Sequence, residues 1–440
     1  MKLYSTNNIH EFVDLKTAVM QGLPLDNGLF MPQDIPRLPE QFLNNLEQYS
    51  FAEIAFEVCK CLIDEHSIPE KELKAITEKA INFPAPIVAL DSKTMVLELF
   101  HGPSLAFKDF GARFMAQLMG YFNQGQNQDL HILVATSGDT GGAVAAGFLG
   151  TPGVKVVILY PSGKVSKLQE KQLTTLGQNI TALEVAGTFD DCQALVKQAF
   201  LDQELQQKLR LSSANSINIA RLIPQSLYYF EAFKQIQDKR KPVTFCIPSG
   251  NFGNLTAGLL AKRMGLPIQH FIAATNLNDV VPEYLNSGIY RPRPSVRTIS
   301  NAMDVGAPSN YARMKDLFLA DSEGSTWNNF KKEISGYAFD DQQTEEAMRA
   351  VYQKYNYVID PHGAVAYLAL RAYQENHPDT IGVLLETAHP AKFKPDVERV
   401  LEKSIDVPPR LAILEHLPKV AQQIKTNYSG FKNLLLEQFA

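Results

Sequence analysis

The 440-residue chain has few cysteines, no long hydrophobic run and no excess of positive charge. Its four cysteines, Cys59, Cys61, Cys192 and Cys246, are too few and too scattered for a disulfide framework, which favours free thiols in a reducing cytosol. No apolar run approaches the ~18 residues of a membrane-spanning helix, and the N-terminus lacks the apolar core of a signal peptide. We therefore expect a cytoplasmic protein without a membrane partner.

Several motifs of other protein classes are missing as well. The formal net charge of −5 offers no electrostatic basis for binding nucleic acid. No second ligand pair follows Cys59 and Cys61 at the spacing of a zinc site, so we expect no metal. The sequence contains neither a G-x-x-x-x-G-K-[ST] loop nor a G-x-G-x-x-G fingerprint, which argues against nucleotide and dinucleotide cofactors. Small molecules remain as the expected partners.

Short apolar runs alternate with helical stretches from about residue 97 to residue 275. This alternation predicts parallel sheets with crossover helices. A long helical stretch, from about residue 189 to residue 236, separates two groups of strands. We therefore expect an α/β fold with two parallel-sheet lobes and a cleft between them, preceded by a mixed helical N-terminal region. The predicted strands are 131–136, 154–160, 179–185, 243–247, 268–275 and 381–387.

One lysine stands in an apolar stretch, HGPSLAFKDFGARF, residues 101–114. Leu105, Ala106 and Phe107 directly precede Lys108. Lysine is seldom buried, because its ammonium is costly to remove from water. The stretch is compatible with a lysine whose stem packs while its ammonium stays hydrated. It is also compatible with a partly desolvated, nucleophilic amine that forms a Schiff base, although the stretch alone favours the hydrated lysine.

Four loops carry small polar residues where strands run into helices or end at the cleft, which is where ligands bind in α/β sheets. ATSGDTGGAVAAG combines hydroxyls with glycines, and CIPSGNFGNLTAG can present several backbone donors to an anion. LLETAHPAKF places a threonine hydroxyl at a strand end, and SSANSINIARLIPQ clusters polar residues where a helix begins. Helix caps, a strand-end cap and a surface arginine are the structural alternatives. The loops span residues 135–147, 246–258, 384–393 and 212–225.

Together these parts describe one kind of chemistry. A Schiff-base lysine, a phosphate cradle without a nucleotide signature and a neutral partner for a ring nitrogen suit pyridoxal phosphate. The additional hydroxyl and arginine loops suit an amino-acid substrate that carries a second anion.

The same stretches resemble the threonine synthase family, which consists of pyridoxal-phosphate enzymes of fold type II, the tryptophan-synthase-β-like type. The resemblance covers nearly the whole chain and includes AVMQGLPLDNGLFMP, LELFHGPSLAFKDFGARFMAQL, ATSGDTGGAV, SANSINIARLIPQ, IPSGNFGNLTAGLLAK and TAHPAKF. It implies conversion of O-phospho-L-homoserine and water to L-threonine and phosphate, by γ-elimination and β-addition of water. The alternatives are a serine or threonine dehydratase of the same fold and a catalytically silent pyridoxal-phosphate-binding protein.

The resemblance also implies a domain organisation. We expect an N-terminal region over residues 1–95 and a larger cofactor-binding domain over 96–118 and 225–440. A smaller, mobile domain over 119–224 is expected to close over the cleft, and the protein is expected to be a monomer or a homodimer.

Functional residues are carried over from the family by position. Lys108 resembles the lysine that bonds to the cofactor, and Thr387 resembles the hydroxyl that faces the pyridine nitrogen. The cofactor phosphate is assigned to Gly250, Asn251, Phe252, Gly253 and Asn254. The loop for the substrate carboxylate is assigned to Thr136, Ser137, Asp139 and Thr140. The candidate ligands of the substrate phosphate are Ser104, Arg113 and Arg221. Asn218, in the same loop as Arg221, is a further candidate ligand of the substrate.

Three positions depart from the family pattern. Asn254 stands where many bacterial members have aspartate, and Asn27 replaces a small residue in the turn GLPLDNGLF. Glu386, beside Thr387, is larger than expected, and alternation along a strand predicts that it points away from Thr387. None of the three removes a group that the expected chemistry needs.

Overall fold

The computed structural model describes residues 1–319 and 325–440. The strands in these ranges are β1 (Lys2–Ser5), β2 (Asn8–Asp14), β3 (Phe30–Pro32), β4 (Ile87–Ala89), β5 (Thr94–Glu98), β6 (Leu130–Ala135), β7 (Val154–Pro161), β8 (Ile180–Val185), β9 (Arg210–Ser213), β10 (Val243–Pro248), β11 (His270–Thr275), β12 (Ile334–Ala338), β13 (Ile381–Glu386) and β14 (Gln422–Ile424).

The helices alternate with these strands along most of the chain. They are α1 (Leu15–Gln21), α2 (Glu40–Asn44), α3 (Phe51–Leu62), α4 (Glu70–Ala80), α5 (Lys108–Phe122), α6 (Asp139–Phe148), α7 (Lys167–Thr174), α8 (Phe189–Leu201), α9 (Gln203–Lys208), α10 (Ile219–Leu222), α11 (Leu227–Gln235), α12 (Gly253–Arg263), α13 (Val280–Ser287), α14 (Tyr311–Leu319), α15 (Thr326–Glu333), α16 (Asp341–Tyr355), α17 (Pro361–Asn376), α18 (Lys394–Leu401), α19 (Pro409–Glu415) and α20 (Tyr428–Phe439). Short 3₁₀ turns occupy Leu46–Gln48, Ile223–Gln225, Asn301–Met303 and Pro390–Phe393.

The larger sheet has six strands in the order β12-β11-β10-β13-β5-β4. All neighbouring strands are parallel except β4, which runs antiparallel to β5. Every residue of β10, β11 and β13 is buried. Helices cover both faces of a parallel sheet, so its central strands consist of nearly continuous apolar residues. These apolar runs are the reason that the three strands could be predicted from the sequence.

The smaller sheet has five parallel strands in the order β14-β8-β7-β6-β9. Its last strand comes from the C-terminal end of the chain, where Gln423 pairs with Glu184 of β8. Helix α20 packs beside it, with Phe431 and Leu435 in one apolar cluster with Leu195 of α8. Residues 422–439 therefore extend the smaller sheet, whereas the predicted boundaries assign them to the larger domain.

The N-terminal region contains an antiparallel sheet, β2-β1-β3, where helices and loops were expected. Leu3 and Ser5 of β1 are buried, and Tyr4 between them is half-buried. Strands of three or four residues, such as β1 and β3, are too short to show an alternating pattern, and the seven-residue β2 is mostly exposed. The helical part of the expectation is confirmed, since α3 begins with a reciprocal capping box between Ser50 and Glu53.

The sheets bring the predicted loops to their carboxyl ends. The loop after β6 leads into α6, the loop after β10 leads into α12, and Thr387 directly follows β13. Helices α5 and α6 pack so closely that a Cβ added at Gly147 would lie 3.0 Å from the backbone of Ala112. Within the described ranges, no helix has the length and apolar character needed to cross a bilayer.

Candidate active site

Lys108 is the first residue of α5 and is held next to the end of β13 by backbone hydrogen bonds. The N–H of Phe107 donates to the carbonyl of Thr387 over 2.8 Å, and the N–H of His389 donates to the carbonyl of Leu105 over 3.0 Å. The two segments thus run side by side in opposite directions. The structure thus places the backbone of the segment that carries Lys108 beside the strand end that carries Thr387.

The amine of Lys108 lies in an environment that favours its neutral form. Burial lowers the pKa of Lys108 to about 8, and the cations Arg221 and Lys392 act in the same direction. The carboxylate of Asp139 opposes them. A lysine whose pKa lies this close to neutrality has a substantial fraction of nucleophilic amine.

The loop after β10 has the form of an anion cradle. Helix α12 begins at Gly253 with no side-chain cap and no acidic residue in its first turn. Phe252 before it adopts a left-handed conformation, with φ 59°. A Cβ at Gly250 would lie 2.8 Å from the carbonyl of Ala302, so only glycine fits there. Uncapped N–H groups at a helix start bind phosphate, and the loop therefore fits the phosphate of the cofactor.

The two asparagines of this loop use their side chains to shape it. The Oδ1 of Asn254 accepts from the Ser249 hydroxyl over 2.6 Å, and its Nδ2 donates to the carbonyl of Pro248 over 2.9 Å. The Oδ1 of Asn251 accepts from the hydroxyl of Ser309 over 3.2 Å. An aspartate at position 254 has no N–H for the carbonyl of Pro248, so asparagine adds one bond to the loop.

The side chains of Thr387 and its neighbour Glu386 differ in their hydrogen bonds. The Thr387 side chain is buried, and its hydroxyl makes no hydrogen bond in the described part of the chain. The Glu386 carboxyl accepts from the N–H of Asp360 over 2.7 Å, at the start of α17. Burial raises the pKa of Glu386 well above its usual value, and the nearby Asp360 and Glu98 raise it further. The Thr387 hydroxyl is therefore available to a ligand.

The loop after β6 is stabilised by one hydroxyl and leaves two others available. The Thr136 hydroxyl accepts from the N–H groups of Gly138 and Gly141 over 3.0 and 2.8 Å. Ser137 is exposed and Thr140 is half-buried. Thr136 therefore shapes the loop, while Ser137 and Thr140 can meet a ligand.

Asp139, at the start of α6, is anchored rather than open to a ligand. Its Oδ1 lies 2.9 Å from the ammonium of Lys392 and accepts from the Gln169 amide over 2.9 Å. Burial by itself would raise the pKa of Asp139, but the cations Lys392 and Lys108 hold it well below its usual value. Asp139 is thus a buried carboxylate that fixes the loop in place.

Arg221 is buried and forms no ion pair with a carboxylate in the described ranges. Its Nη1 donates to the carbonyl of Ala214 over 2.6 Å, and its Nε is buried without a partner. A Cβ at Gly111, one turn after Lys108, would lie 2.7 Å from this Nε. Burial lowers the pKa of Arg221 to about 10, against the opposing carboxylate of Asp109. Such a cation with an unused donor suits a bound anion.

Ser104 has a buried hydroxyl without a hydrogen-bond partner. Its backbone is fixed, because its N–H donates to Asp109 Oδ2 over 2.9 Å. The Ser104 hydroxyl and the Arg221 Nε are both buried donors without a partner in the described ranges. Both are candidates for the substrate phosphate.

Two predicted ligands have their polar groups bound elsewhere. The Nε of Arg113 donates to the carbonyl of Ala80 over 2.9 Å, and its Nη2 donates to Asn82 over 2.9 Å. The Nδ2 of Asn218 donates to the carbonyl of Val19 over 2.9 Å, and its Oδ1 caps α10. Arg113 thus joins α5 to the N-terminal region, and Asn218 supports the segment that carries Arg221.

A second buried arginine, which the sequence analysis missed, supports the same segment. Arg313 donates to the carbonyl of Ile217 over 2.7 Å, to Asn310 over 2.8 Å and to the carbonyl of Phe30 over 3.1 Å. Burial lowers the pKa of Arg313 to about 9. No motif signals this role, because apart from Asn310 the partners are backbone carbonyls distant in sequence.

Lys392 was also missed, although a signal was present. It is fully buried in the 3₁₀ turn Pro390–Phe393. Like Lys108, it follows an alanine or phenylalanine in an apolar stretch, here PAKF. The pattern that drew attention to Lys108 therefore occurs twice in this site.

The comparisons with known proteins agree with this geometry. Residues 84–386 match the family described as "Pyridoxal-phosphate dependent enzyme", residues 2–81 match "Threonine synthase N terminus", and residues 363–434 match "Threonine synthase, C-terminal". The curated threonine synthase of Escherichia coli (strain K12) is 46% identical over 437 residues, covering 99% of each chain. The chain belongs to the threonine synthase family.

Solved structures of the family have the same fold. The crystal structure of threonine synthase from Escherichia coli has a TM-score of 0.92 at 45% identity, over 99% of this chain and 100% of the other. The pyridoxal-phosphate-bound threonine synthase from Brucella melitensis also has a TM-score of 0.92, at 33% identity, over 100% of this chain and 99% of the other. The predicted fold type, the enzyme class, a pyridoxal-phosphate-dependent lyase, and the cofactor are confirmed. The comparisons lend no support to the dehydratase or the silent binder.

Proposed function

We propose that this threonine synthase family member converts O-phospho-L-homoserine and water to L-threonine and phosphate at the site around Lys108. The observation that carries the proposal is the buried guanidinium of Arg221, which has an unused donor and no carboxylate partner within the described ranges. Serine and threonine, the substrates of a dehydratase, have no second anionic group that could bind such a cation. A phosphorylated amino acid supplies one.

The residues present fit pyridoxal phosphate. Gly250 to Asn254 would hold its phosphate at the start of α12, Thr387 would face its ring nitrogen, and Lys108 would bond to it. When bound, the cofactor supplies an electron sink for negative charge that develops on the substrate carbon atoms. A neutral hydroxyl at Thr387 does not impose a proton on the ring nitrogen as a carboxylate would.

Lys108 is proposed as the general base and acid of the reaction. Its pKa of about 8 lets the amine take up a proton from the substrate Cα and later return one. Its position at the start of α5, tied to Thr387 through Phe107, keeps the amine at the cofactor end of the cleft.

The departing phosphate needs cationic stabilisation where its charge develops. Arg221 and the hydroxyl of Ser104 are the proposed ligands of this group. The substrate carboxylate is proposed to bind the loop of Thr136 to Thr140, through its backbone N–H groups and the hydroxyls of Ser137 and Thr140. The resemblance also implies that the smaller lobe closes over the cleft, which would keep water out until the carbon chain is ready for its addition.

The test is an assay of the purified holoenzyme with O-phospho-L-homoserine, in which threonine and phosphate are measured together. We expect equal amounts of both, and neither from Lys108→Ala, while Lys425→Ala, at an exposed lysine, retains full activity. After borohydride reduction, mass spectrometry should find the cofactor on the peptide that contains Lys108. Phosphate without threonine, or turnover of serine instead, would contradict the proposal.

The cellular setting is proposed on simpler grounds. The four cysteines are free in the structure, and Cys59, Cys192 and Cys246 are buried. Buried thiols that are not paired suit a reducing compartment, and we propose the cytoplasm. A monomer or a homodimer remains the prediction for the oligomeric state, which sedimentation of the holoenzyme would decide.

A further inference from the structure

The ammonium of Lys392 is completely enclosed and uses all three of its donors. It donates to the carbonyl of Ser104 over 2.7 Å and to Gln172 Oε1 over 2.9 Å, and it lies 2.9 Å from Asp139 Oδ1. The side chain has no exposed surface. An ammonium has three N–H groups, so none is left for a substrate or a cofactor.

These three partners belong to the segments that carry the proposed chemistry. Ser104 lies four residues before Lys108, and its carbonyl also accepts from Gln172 Nε2 over 2.9 Å. Asp139 begins α6 directly after the glycine loop, and Gln172 belongs to α7 of the smaller lobe. Lys392 itself follows β13 of the larger sheet. One ammonium therefore joins both lobes at the point where the site is built.

Asp139 is held by the same group of residues from its other side. Gln169, one turn before Gln172 on α7, donates its amide to Asp139 Oδ1 over 2.9 Å. The hydroxyl of Ser166, which caps α7, donates to the backbone carbonyl of Lys392 over 3.4 Å. Ser166, Gln169 and Gln172, which are spaced one turn apart on α7 and its cap, thus all form hydrogen bonds to Lys392 or Asp139.

Three charged groups act on the Lys108 amine. Lys392 and Arg221 are cations that disfavour a proton on Lys108, and Asp139 is an anion that favours one. In a site of low effective dielectric, removing either charge changes the balance strongly. Lys392 neutralises Asp139 by direct contact and so limits the attraction of that carboxylate for the Lys108 proton.

We propose that Lys392 is a positioning residue, which fixes the Lys108 segment and the Asp139 loop in one arrangement and sets the charge balance at the Lys108 amine. The proposal rests on the proposed role of Lys108 as the amine of the site. It assigns Lys392 no contact with substrate.

The experiment compares Lys392→Met, Asp139→Asn and the double variant with the unchanged chain. Competitive acetylation of the full-length chain freed of cofactor, read peptide by peptide by mass spectrometry, gives the pKa of the Lys108 amine. We expect it to rise in Lys392→Met, which loses a cation and exposes Lys108 to an unpaired Asp139. We expect it to fall in Asp139→Asn, which loses the anion and leaves the cations. In the holoenzyme, the pH midpoint of the cofactor absorbance band should move in the same two directions.

Activity supplies the second readout. Loss of the arrangement in Lys392→Met should lower kcat/KM of the holoenzyme about 100-fold, which is the scale of a misplacement of about 1 Å. Lys394→Met is the matched control, because Lys394 lies two residues away, is one-third exposed and forms a long ion pair with Glu398 at 3.7 Å. It should leave both the activity and the Lys108 pKa unchanged.

Opposite shifts in the two single variants support the proposal, whereas unchanged values or shifts in the same direction overturn it. If Lys392→Met does not fold, because it leaves a buried carboxylate unpaired, the double variant has no such charge. The comparison of the double variant with Asp139→Asn then isolates Lys392, and the Lys108 pKa must rise between them. These titrations need no substrate, so a wrong substrate assignment would leave them intact and would show only in the product assay.

Discussion

The N–H of Phe107 donates to the carbonyl of Thr387 over 2.8 Å, which joins the segment before Lys108 to the end of β13. The two residues are 280 positions apart in the chain. Phe107 directly precedes Lys108, and Thr387 is itself assigned to the cofactor. The relative position of the two backbone segments is therefore set by main-chain hydrogen bonds, which side-chain substitutions nearby leave in place.

Gly250→Ala should abolish cofactor binding. The new Cβ would lie 2.8 Å from the carbonyl of Ala302 and 3.0 Å from the Cα of Met303, and neither backbone atom can move aside easily. The loop before α12 must shift, and its N–H groups then no longer converge on a phosphate. Equilibrium dialysis against pyridoxal phosphate measures the loss.

Gly120→Ala is the control for this change. It lies inside α5, and its Cβ would meet only the Thr151 methyl group at 3.2 Å. The variant should bind the cofactor normally. Equal affinity of the Gly250 and Gly120 variants would show that the loop does not hold the phosphate.

Arg221→Met should weaken binding of the phosphorylated substrate far more than Arg113→Met. Truncating a buried cation that binds an anion costs on the order of 2–4 kcal/mol, a fall in kcat/KM of about 30- to 1,000-fold. Arg113 uses its donors on Ala80 and Asn82, so its loss should affect stability instead. Steady-state kinetics with O-phospho-L-homoserine, beside cofactor titration, separates substrate binding from cofactor binding.

Asp109→Asn should remove a pH-dependent cost of folding. Burial raises the pKa of Asp109 to about 6, against its hydrogen bonds from Ser104 and the nearby cations Lys392 and Arg113. Between about pH 4 and pH 6 the folded chain therefore binds more protons here than the unfolded chain, and stability falls as pH rises. Above pH 6 the variant should be more stable by up to about 3 kcal/mol. Thermal unfolding midpoints of both proteins from pH 4 to pH 8 check this, and parallel curves would contradict it.

Glu386→Gln should be tolerated, with a change in unfolding free energy below about 1 kcal/mol. Burial, and then Asp360 and Glu98, raise the pKa of Glu386 well above its usual value, so the surroundings disfavour a charge at this position. A glutamine oxygen can accept the N–H of Asp360 as the carboxyl does. Chemical denaturation at pH 7 and pH 9 measures the difference, and a large loss at pH 7 would mean that the charge is needed.

Gly363→Ala should destabilise the fold, because Gly363 packs against Glu386. Its Cβ would lie 1.6 Å from Glu386 Oε2, an overlap that the buried carboxyl cannot avoid without moving. Overpacking of this kind costs about 1–3 kcal/mol or more. Glu386→Ala in the Gly363→Ala background should recover part of that loss, since the smaller residue vacates the space.

Much of the α/β framework could be predicted because its central strands are buried on both faces. All six predicted strands are present with ends shifted by at most two residues, as in β10 over Val243–Pro248 and β11 over His270–Thr275. Strand β5, over Thr94–Glu98, was not predicted, because it has only three apolar residues between a threonine and a glutamate. The three N-terminal strands were not predicted, because their pairing, between Leu3 and Val13 for example, is not visible in any one segment.

The site divides in the same way. Lys108 and the glycine loops could be identified because their chemistry needs particular residue types in one short stretch. Arg113 and Arg221 look alike in sequence, and only the tertiary partners distinguish them: Arg113 meets carbonyls at the end of α4, while Arg221 keeps a buried donor unused. Lys392 stands 284 positions after Lys108, and its role depends on contacts that only the folded chain creates.

Strand β14 makes the smaller sheet depend on a segment that is synthesised long after its neighbour. Its residues, Gln422–Ile424, pair with β8 more than 230 positions earlier in the chain. Until a ribosome has made this segment, β8 is an uncovered sheet edge that can pair with other chains. Residues 422–439 therefore cover this edge only after the rest of the sheet has been made. A chain cut before residue 422 would keep every proposed catalytic group but would expose an aggregation-prone edge.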